Sequence, residues 1–290
     1  MTPPPDNGPS KRDRREEARE KARIAREATA RKRRRNRFFI QGGIGLGILA
    51  VAAAVVLIIF TSIKPAGPGP SNMASGGVLL QGNATTSKIT AVKTAAVKAG
   101  ATPTATDQKK LTKTVNITTY IDYQCPYCNQ FETANESQIK TWLQKGAITL
   151  EIHPISILDA SSLGTKYSTR SANAAMCVAN YDPDSFLAVN TSLFKNQPAE
   201  GTSGLTNAKL ISLIQAAGAT SSSIPSCVNG GTFNGFVSSQ TKAALADKLP
   251  NSSIAKLTGT PTVIVNGKQY NGSLTDAATF SSFVASQATS

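Results

Sequence analysis

Cys125 and Cys128, in the run Cys125-Pro126-Tyr127-Cys128, are the residues whose type and spacing most directly carry chemistry. A C-x-x-C pair can exchange its thiols with a disulfide or supply half of a zinc site. Its setting separates the two. Residues 114–128 read TVNITTYIDYQCPYC, in which Val115, Ile117 and Ile121 alternate with polar positions, the pattern of a half-buried strand. From Phe131 the apolar residues recur at Ala134, Ile139, Trp142 and Leu143, one face of a helix. The pair therefore stands where a strand turns into a helix. Free N–H groups and the positive end of the helix dipole favour an anion there. The Cys125 thiolate, the attacking species in disulfide exchange, is that anion. Pro126 suits the first helical position, where its missing N–H is not needed. Cys128, about a turn further in, is placed to resolve a mixed disulfide. Zinc would need a second C-x-x-C or a Cys/His pair. The one histidine, His153, is isolated and the other two cysteines are far apart. No metal and no bound cofactor are implied.

The next question is where these thiols work. The 290-residue chain carries a net charge of +14, which taken alone suggests nucleic acid. Residues 1–37, however, hold 14 Lys/Arg against 6 Asp/Glu, and the rest of the chain only 17 against 11. The basic character belongs largely to one tail. No charged residue lies between Arg37 and Lys64, and residues 44–60 are almost wholly apolar apart from glycines. About 20 such residues span a bilayer core as a helix. With Arg31 to Arg35 and Arg37 on one flank, the positive-inside rule places residues 1–37 in the cytoplasm, a transmembrane helix at 38–63, and everything beyond outside. A cleaved signal peptide is the competing reading, but its apolar region is shorter and ends at a small-residue site, and no clear A-x-A follows here. The tail reads as a topology signal touching membrane lipid. Nucleic-acid binding is disfavoured, because no aromatic residue interrupts the basic run before Phe38. An extracytoplasmic face permits lasting disulfides, which leaves Cys177 and Cys227 for each other as a structural bridge. Two buried free thiols are the alternative.

The remaining elements must position the pair. Residues 64–75 read as a linker, rich in Pro and Gly at Pro65 to Ser71, and residues 76–290 as the folded domain. Gly77 to Gly82 predicts a short first strand. Asn83 to Lys110 reads as a loop with a short helix at Ala91 to Lys98. Ala147 to Ile155 predicts the next strand, with His153 at its end in a structural role, a role near the thiols being the sharper option. Residues 166–249 read as a helical insertion of four amphipathic segments. The first is Lys166 to Ala179; the others are marked by Phe186 to Phe194, Leu210 to Ala217, and Phe233 to Leu245, with Cys227 at the start of the fourth. Thr262 to Val265, Asn266-Gly267 and Lys268 to Asn271 predict a hairpin, and Leu274 to Val284 a last helix.

Taken together, C-P-Y-C on a helix after a strand, a helical insertion, and Gly259-Thr260-Pro261-Thr262 before a hairpin and helix resemble the DsbA-like thiol-disulfide oxidoreductases of the thioredoxin superfamily, over about residues 76–290. The resemblance implies an α/β, thioredoxin-like fold with an inserted helical domain. It implies that Pro261 is cis and lies beside the cysteines, and that Thr260 offers its backbone to a bound peptide. Cys125, Pro126, Tyr127, Cys128, Thr260 and Pro261 then form the site, with exported thiol-bearing proteins as substrates. A DsbB-like or vitamin-K-epoxide-reductase-like quinone-linked enzyme would be the membrane partner. Two departures stand out. Thr119 occupies the position where the family often carries a buried acid, and strand alternation puts Asp122, the nearest acid, on the other strand face. The dipeptide is Pro-Tyr instead of the Pro-His of strong oxidants. The reading is a membrane-anchored oxidoreductase that forms disulfides in exported proteins. A reductase or isomerase, and a non-catalytic binding module, remain the alternatives.

Overall fold

The computed structural model describes residues 67–111 and 114–288. The expected basic tail (1–37) and transmembrane helix (38–63) lie outside the described residues. Among the described residues no helix is long and apolar enough to cross a membrane.

The elements run β1 (Val78–Gly82), β2 (Ile89–Ala91), β3 (Val115–Ile121), α1 (Pro126–Gln144) and β4 (Ile148–Pro154). Five helices follow: α2 (Tyr167–Tyr181), α3 (Phe186–Lys195), α4 (Asn207–Ala216), α5 (Ile224–Gly230) and α6 (Asn234–Ala246). β5 (Thr262–Val265), β6 (Lys268–Gln269) and α7 (Ala277–Ala288) complete the domain. The sheet order is β2-β1-β4-β3-β5-β6. β3 and β4 are parallel, from Val115 opposite Ile148 to Ile121 opposite Pro154, and α1 is the crossover that parallel strands require. The other strand pairs are antiparallel.

The central strands are covered on both faces. All of β4 is buried, and in β3 only Asn116 is not. On one face α1 and α7 meet through Phe131 and Phe280, ring centres 5.0 Å apart. On the other, Tyr120 and Ile264 pack with Ala244 of α6 and with Leu249 and Leu257. The alternation of β3 therefore does not mark a half-buried strand. Its second face carries Thr118 and Tyr120, polar enough to look solvated in sequence, yet covered by α6 and the segment after it.

Four other expectations are corrected. No helix forms at Ala91 to Lys98; Ala91 ends the second strand of a hairpin, and the backbone beyond it is irregular. Asn83 Oδ1 accepts the N–H groups of Thr85 and Thr86 at the turn, β2 pairs with β1, and Val92 donates to the Leu79 carbonyl. Residues 69–75 are packed instead of forming a free linker. Met73 is fully buried, Gly69 donates to the Val97 carbonyl, and Asn72 Nδ2 to that of Ala179. A Cβ at Gly69 would lie 2.6 Å from the Phe236 ring, so only glycine lets the chain run this close. The insertion has a fifth helix, α5, ended by Gly231 in the left-handed conformation at φ +59°. Cys227 sits in α5, before the fourth expected segment begins. It is bonded to Cys177 of α2 (S–S 2.03 Å), and both are buried. α2 is buried around most of its circumference, as befits the centre of a helical block. The second strand of the last hairpin is also shorter than expected, ending at Gln269.

Candidate active site

β3 ends at Ile121, and the chain turns through Asp122-Tyr123-Gln124 into α1. Cys125 is the N-cap residue of α1 in extended conformation, with Pro126 at the first helical position. The turn is held from several sides. The Asp122 carboxylate accepts the N–H groups of Gln124 (2.9 Å) and Leu158 (3.0 Å), and its carbonyl accepts that of Cys125 (3.0 Å). Asp122 is fully buried, and burial pushes its carboxyl up to about 6 in spite of these hydrogen bonds. Gln124, also fully buried, donates through Nε2 to the Ser161 carbonyl (3.1 Å). Gln197, just past α3, donates through Nε2 to the carbonyls of Tyr123 (3.1 Å) and Cys125 (2.9 Å). The helical insertion thus grips the backbone that presents the first cysteine.

The Thr260–Pro261 bond is cis, and the Thr260 carbonyl lies 3.2 Å from Cys125 Sγ. The structure therefore gathers Cys125, Pro126, Tyr127, Cys128, Thr260 and Pro261 into one locus. Cys177 and Cys227 lie apart from it, in the helical block. Tyr127 is the exposed member, 61% accessible, while Cys125 is only 4% accessible and Cys128 is fully covered. Pro126 and Gln197 line an open groove beside the pair, together with Gln130 and Thr275.

The two thiols are unbonded and differ sharply in acidity. Hydrogen bonding from the Cys128 thiol brings Cys125 down to about 6. Partial burial opposes this, and Thr260 and the N–H groups of Cys128 and Tyr127 assist it. The Thr260 hydroxyl has no other protein partner. Cys128 moves the other way: burial pushes its thiol well above the ordinary range, and its hydrogen bond to Cys125 adds to the effect. One sulfur is thus a ready nucleophile, and the other holds its proton.

Gln124 and Gln197 escaped the sequence reading, and Asp122 entered it only as an acid on the other strand face. Alternation cannot place Asp122, because the strand has ended. An acid accepting the N–H two residues on is a recognisable turn signature, and that signal was available. Gln197 carried none. His153 takes the structural role: Nε2 lies 3.5 Å from Glu151 Oε1 and the ring stacks on Tyr120 at 4.5 Å. Glu151 is held further by the hydroxyls of Ser75 and Thr106. Among the described residues no cluster of three or more His, Cys, Asp or Glu side chains is arranged to hold a metal ion.

This arrangement has close counterparts. The family model described as Thioredoxin matches residues 112–285. No curated protein matches the chain. Among solved structures, reduced disulfide bond oxidoreductase DsbG from Mycobacterium tuberculosis is 30% identical with a TM-score of 0.51, over 59% of this chain and 77% of that one. Oxidised DsbA from M. tuberculosis is 29% identical, TM-score 0.51, over 61% and 84%. Oxidised BdbD from Bacillus subtilis, 18% identical with a TM-score of 0.53, covers 78% of this chain and all of its own and supports the fold. The chain belongs to the thioredoxin family, as a DsbA-like protein thiol–disulfide oxidoreductase.

Proposed function

We propose that this protein is a membrane-anchored enzyme that forms disulfides in exported proteins, with Cys125 as the exchanging sulfur and Cys128 as its resolving partner. The observation that carries the reading is the asymmetry of the pair. In the oxidised enzyme a substrate thiolate attacks Cys125 Sγ. The Cys125–Cys128 bond breaks, and Cys128 leaves with the electron pair and takes up a proton. A second substrate thiolate then attacks the substrate sulfur of the mixed disulfide and expels Cys125. A thiolate whose conjugate acid titrates near 6 is a good leaving group. The groove beside the pair and the exposed Tyr127 offer the peptide a surface, and the Thr260 carbonyl lies 3.2 Å from Cys125 Sγ.

The lowered acidity of Cys125 supports oxidation as the direction of transfer. A thiol brought from 9 to about 6 favours the reduced state at pH 7 by about 1.4 kcal/mol, which for two electrons is about 30 mV toward oxidant. The hydrophobic stretch at 38–63 and its basic flank support an anchor with the catalytic domain outside the cytoplasm, among newly exported chains. The electrons then leave to a quinone-linked membrane reoxidase of DsbB-like or vitamin-K-epoxide-reductase-like type.

Two measurements test this. Cys128→Ser should accumulate covalent complexes with exported proteins while Cys125→Ser traps few; equal trapping would reverse the roles. A redox titration should place the pair above the about −270 mV of thioredoxin. A potential at or below that value would make the enzyme a reductase, and loss of all exchange activity would leave a binding module.

A further inference from the structure

A cavity of about 300 Å³ lies between α1, α3 and Ile89 of β2, over β3 and β4. Its floor is buried and mostly apolar: Thr119 of β3, Leu150 of β4, and Phe131 and Ile139 of α1 are each at most 5% accessible. Its rim is exposed at Lys140, Asp184 and Ala188, so a solute can enter from solvent. An apolar protein cavity of about 150 Å³ is already large enough to hold benzene. This one has room for a ring and a short arm.

Two polar groups in this lining lack what their chemistry calls for. The Thr119 hydroxyl, on a residue 1% accessible, has no protein partner, and a buried hydroxyl without a hydrogen bond is costly. Glu132 of α1 accepts one hydrogen bond, from Asn190 Nδ2 to Oε2 (3.2 Å), and Oε1 has no protein partner among the described residues. The Asn190 amide is fixed in that sense because its Oδ1 accepts from the Tyr123 hydroxyl (3.0 Å). The other acids of the lining are compensated. Glu136 pairs with Lys195 of α3 at 3.2 Å, and Asp184 accepts the Ala91 N–H with Lys93 at 3.9 Å. Among the described residues no lysine or arginine pairs with Glu132. Burial, with Glu136 adding, pushes its carboxyl up to about 7, against the Asn190 hydrogen bond.

We propose that this cavity is a binding site for a small amphiphilic amine with a hydroxyl at its far end. The ammonium pairs with Glu132, the apolar body lies on Phe131, Ile139, Leu150 and Leu187, and the hydroxyl bonds to Thr119. Few polar groups in an apolar lining are what fix the orientation of a small ligand. An anion would be repelled by Glu132, and a wholly apolar solute would leave both polar groups without partners. Cys125 and Cys128 are not in the lining, so the inference stands apart from the exchange assignment.

Tyramine is the probe, and its truncated analogues are phenethylamine, which lacks the hydroxyl, and para-ethylphenol, which lacks the ammonium. Binding is measured by isothermal titration calorimetry on the full chain in lipid nanodiscs, with empty nanodiscs subtracted. Tyramine should bind with a Kd of about 1 mM or tighter. para-Ethylphenol should bind about tenfold more weakly and phenethylamine about threefold, as expected for losing a charged and a neutral hydrogen bond. Glu132→Gln keeps the size and an acceptor for Asn190. It should erase the advantage of tyramine over para-ethylphenol and keep the advantage over phenethylamine; Thr119→Val should do the converse. Because the Glu132 carboxyl titrates at about 7, native binding should tighten by up to about tenfold from about pH 6 to about pH 8, and stay level in Glu132→Gln. Absence of saturable tyramine binding would overturn the proposal and leave a cavity for water alone. Binding that neither variant alters would overturn it too, since the amine would then sit elsewhere on the protein.

Discussion

Replacing Cys128 by alanine removes the strongest of the contacts that favour the Cys125 thiolate. A hydrogen bond to a charged group is worth about 1.5–3 kcal/mol net, and one pKa unit corresponds to about 1.36 kcal/mol. Cys125 should therefore titrate about one to two units higher, between about 7 and 8, where the native thiol titrates at about 6. At pH 6.5 the ionised fraction would fall from about three-quarters to about one-tenth for a midpoint of 7.5. Cys128→Ser keeps a donor at the same place and should stay nearer the native midpoint. The ultraviolet absorbance of the thiolate, followed against pH, reads this directly. Alkylation rates would mislead, because nucleophilicity rises with thiol pKa at a Brønsted slope of about 0.4–0.5 and would offset much of the lost thiolate. An alanine variant that titrates at the native midpoint would refute the reasoning. So would a serine variant shifted as far as the alanine one, since the donor would then not be the cause.

Other perturbations reach the scaffold and the topology. The Cys177–Cys227 bridge closes a 50-residue separation, for which the loop-entropy model gives about 4 kcal/mol as an upper figure, so Cys177→Ala/Cys227→Ala should melt several degrees lower yet keep exchange activity in the cold. Loss of exchange in the folded double variant would show a redox role for that pair. Asp122, raised from 3.8 to about 6, binds its proton more tightly when folded; its contribution of at most about 3 kcal/mol is present below pH 4 and lost as pH rises through about 6. Urea unfolding between pH 4 and 7 should show that decline in the native protein and a flatter one in Asp122→Asn; parallel profiles would count against it. A reporter active only outside the cytoplasm should work when fused after Ser290 and fail at Ser10, and the reverse pattern would overturn the anchor.

How much of this was legible depended on whether the determining forces were local. The strand β3, the helix α1 and the place of Cys125 between them follow from alternation, helical spacing and a proline at the first helical position, all within some thirty residues of chain. The packing of residues 69–75 was not legible. Proline and glycine announce the absence of regular structure, not the absence of contacts, and Gly69 is needed because the Phe236 ring lies against it. Alanine and lysine at 91–98 suggested a helix, but backbone bonds from Val92 to Leu79 and from Thr94 to the Asn72 side chain hold that segment extended. Tertiary hydrogen bonds overrode a weak local propensity.

The same distinction explains why the active-site cysteines could be named while the groups that hold them could not. Alternation assigned Asp122 to the far face of a strand, but parity holds only while the chain stays extended, and the strand ends one residue earlier. Past that point the turn is built by partners remote in sequence. Leu158 gives an N–H to Asp122, Ser161 accepts from Gln124, Gln197 reaches back to two carbonyls, and Thr260 closes over the sulfur of Cys125. Three of these four lie between β4 and the end of the helical insertion. The insertion is therefore not an appendage to the redox pair. The backbone of Cys125 is fixed by it, so the altered thiol acidity depends on residues that no local pattern connects to the motif.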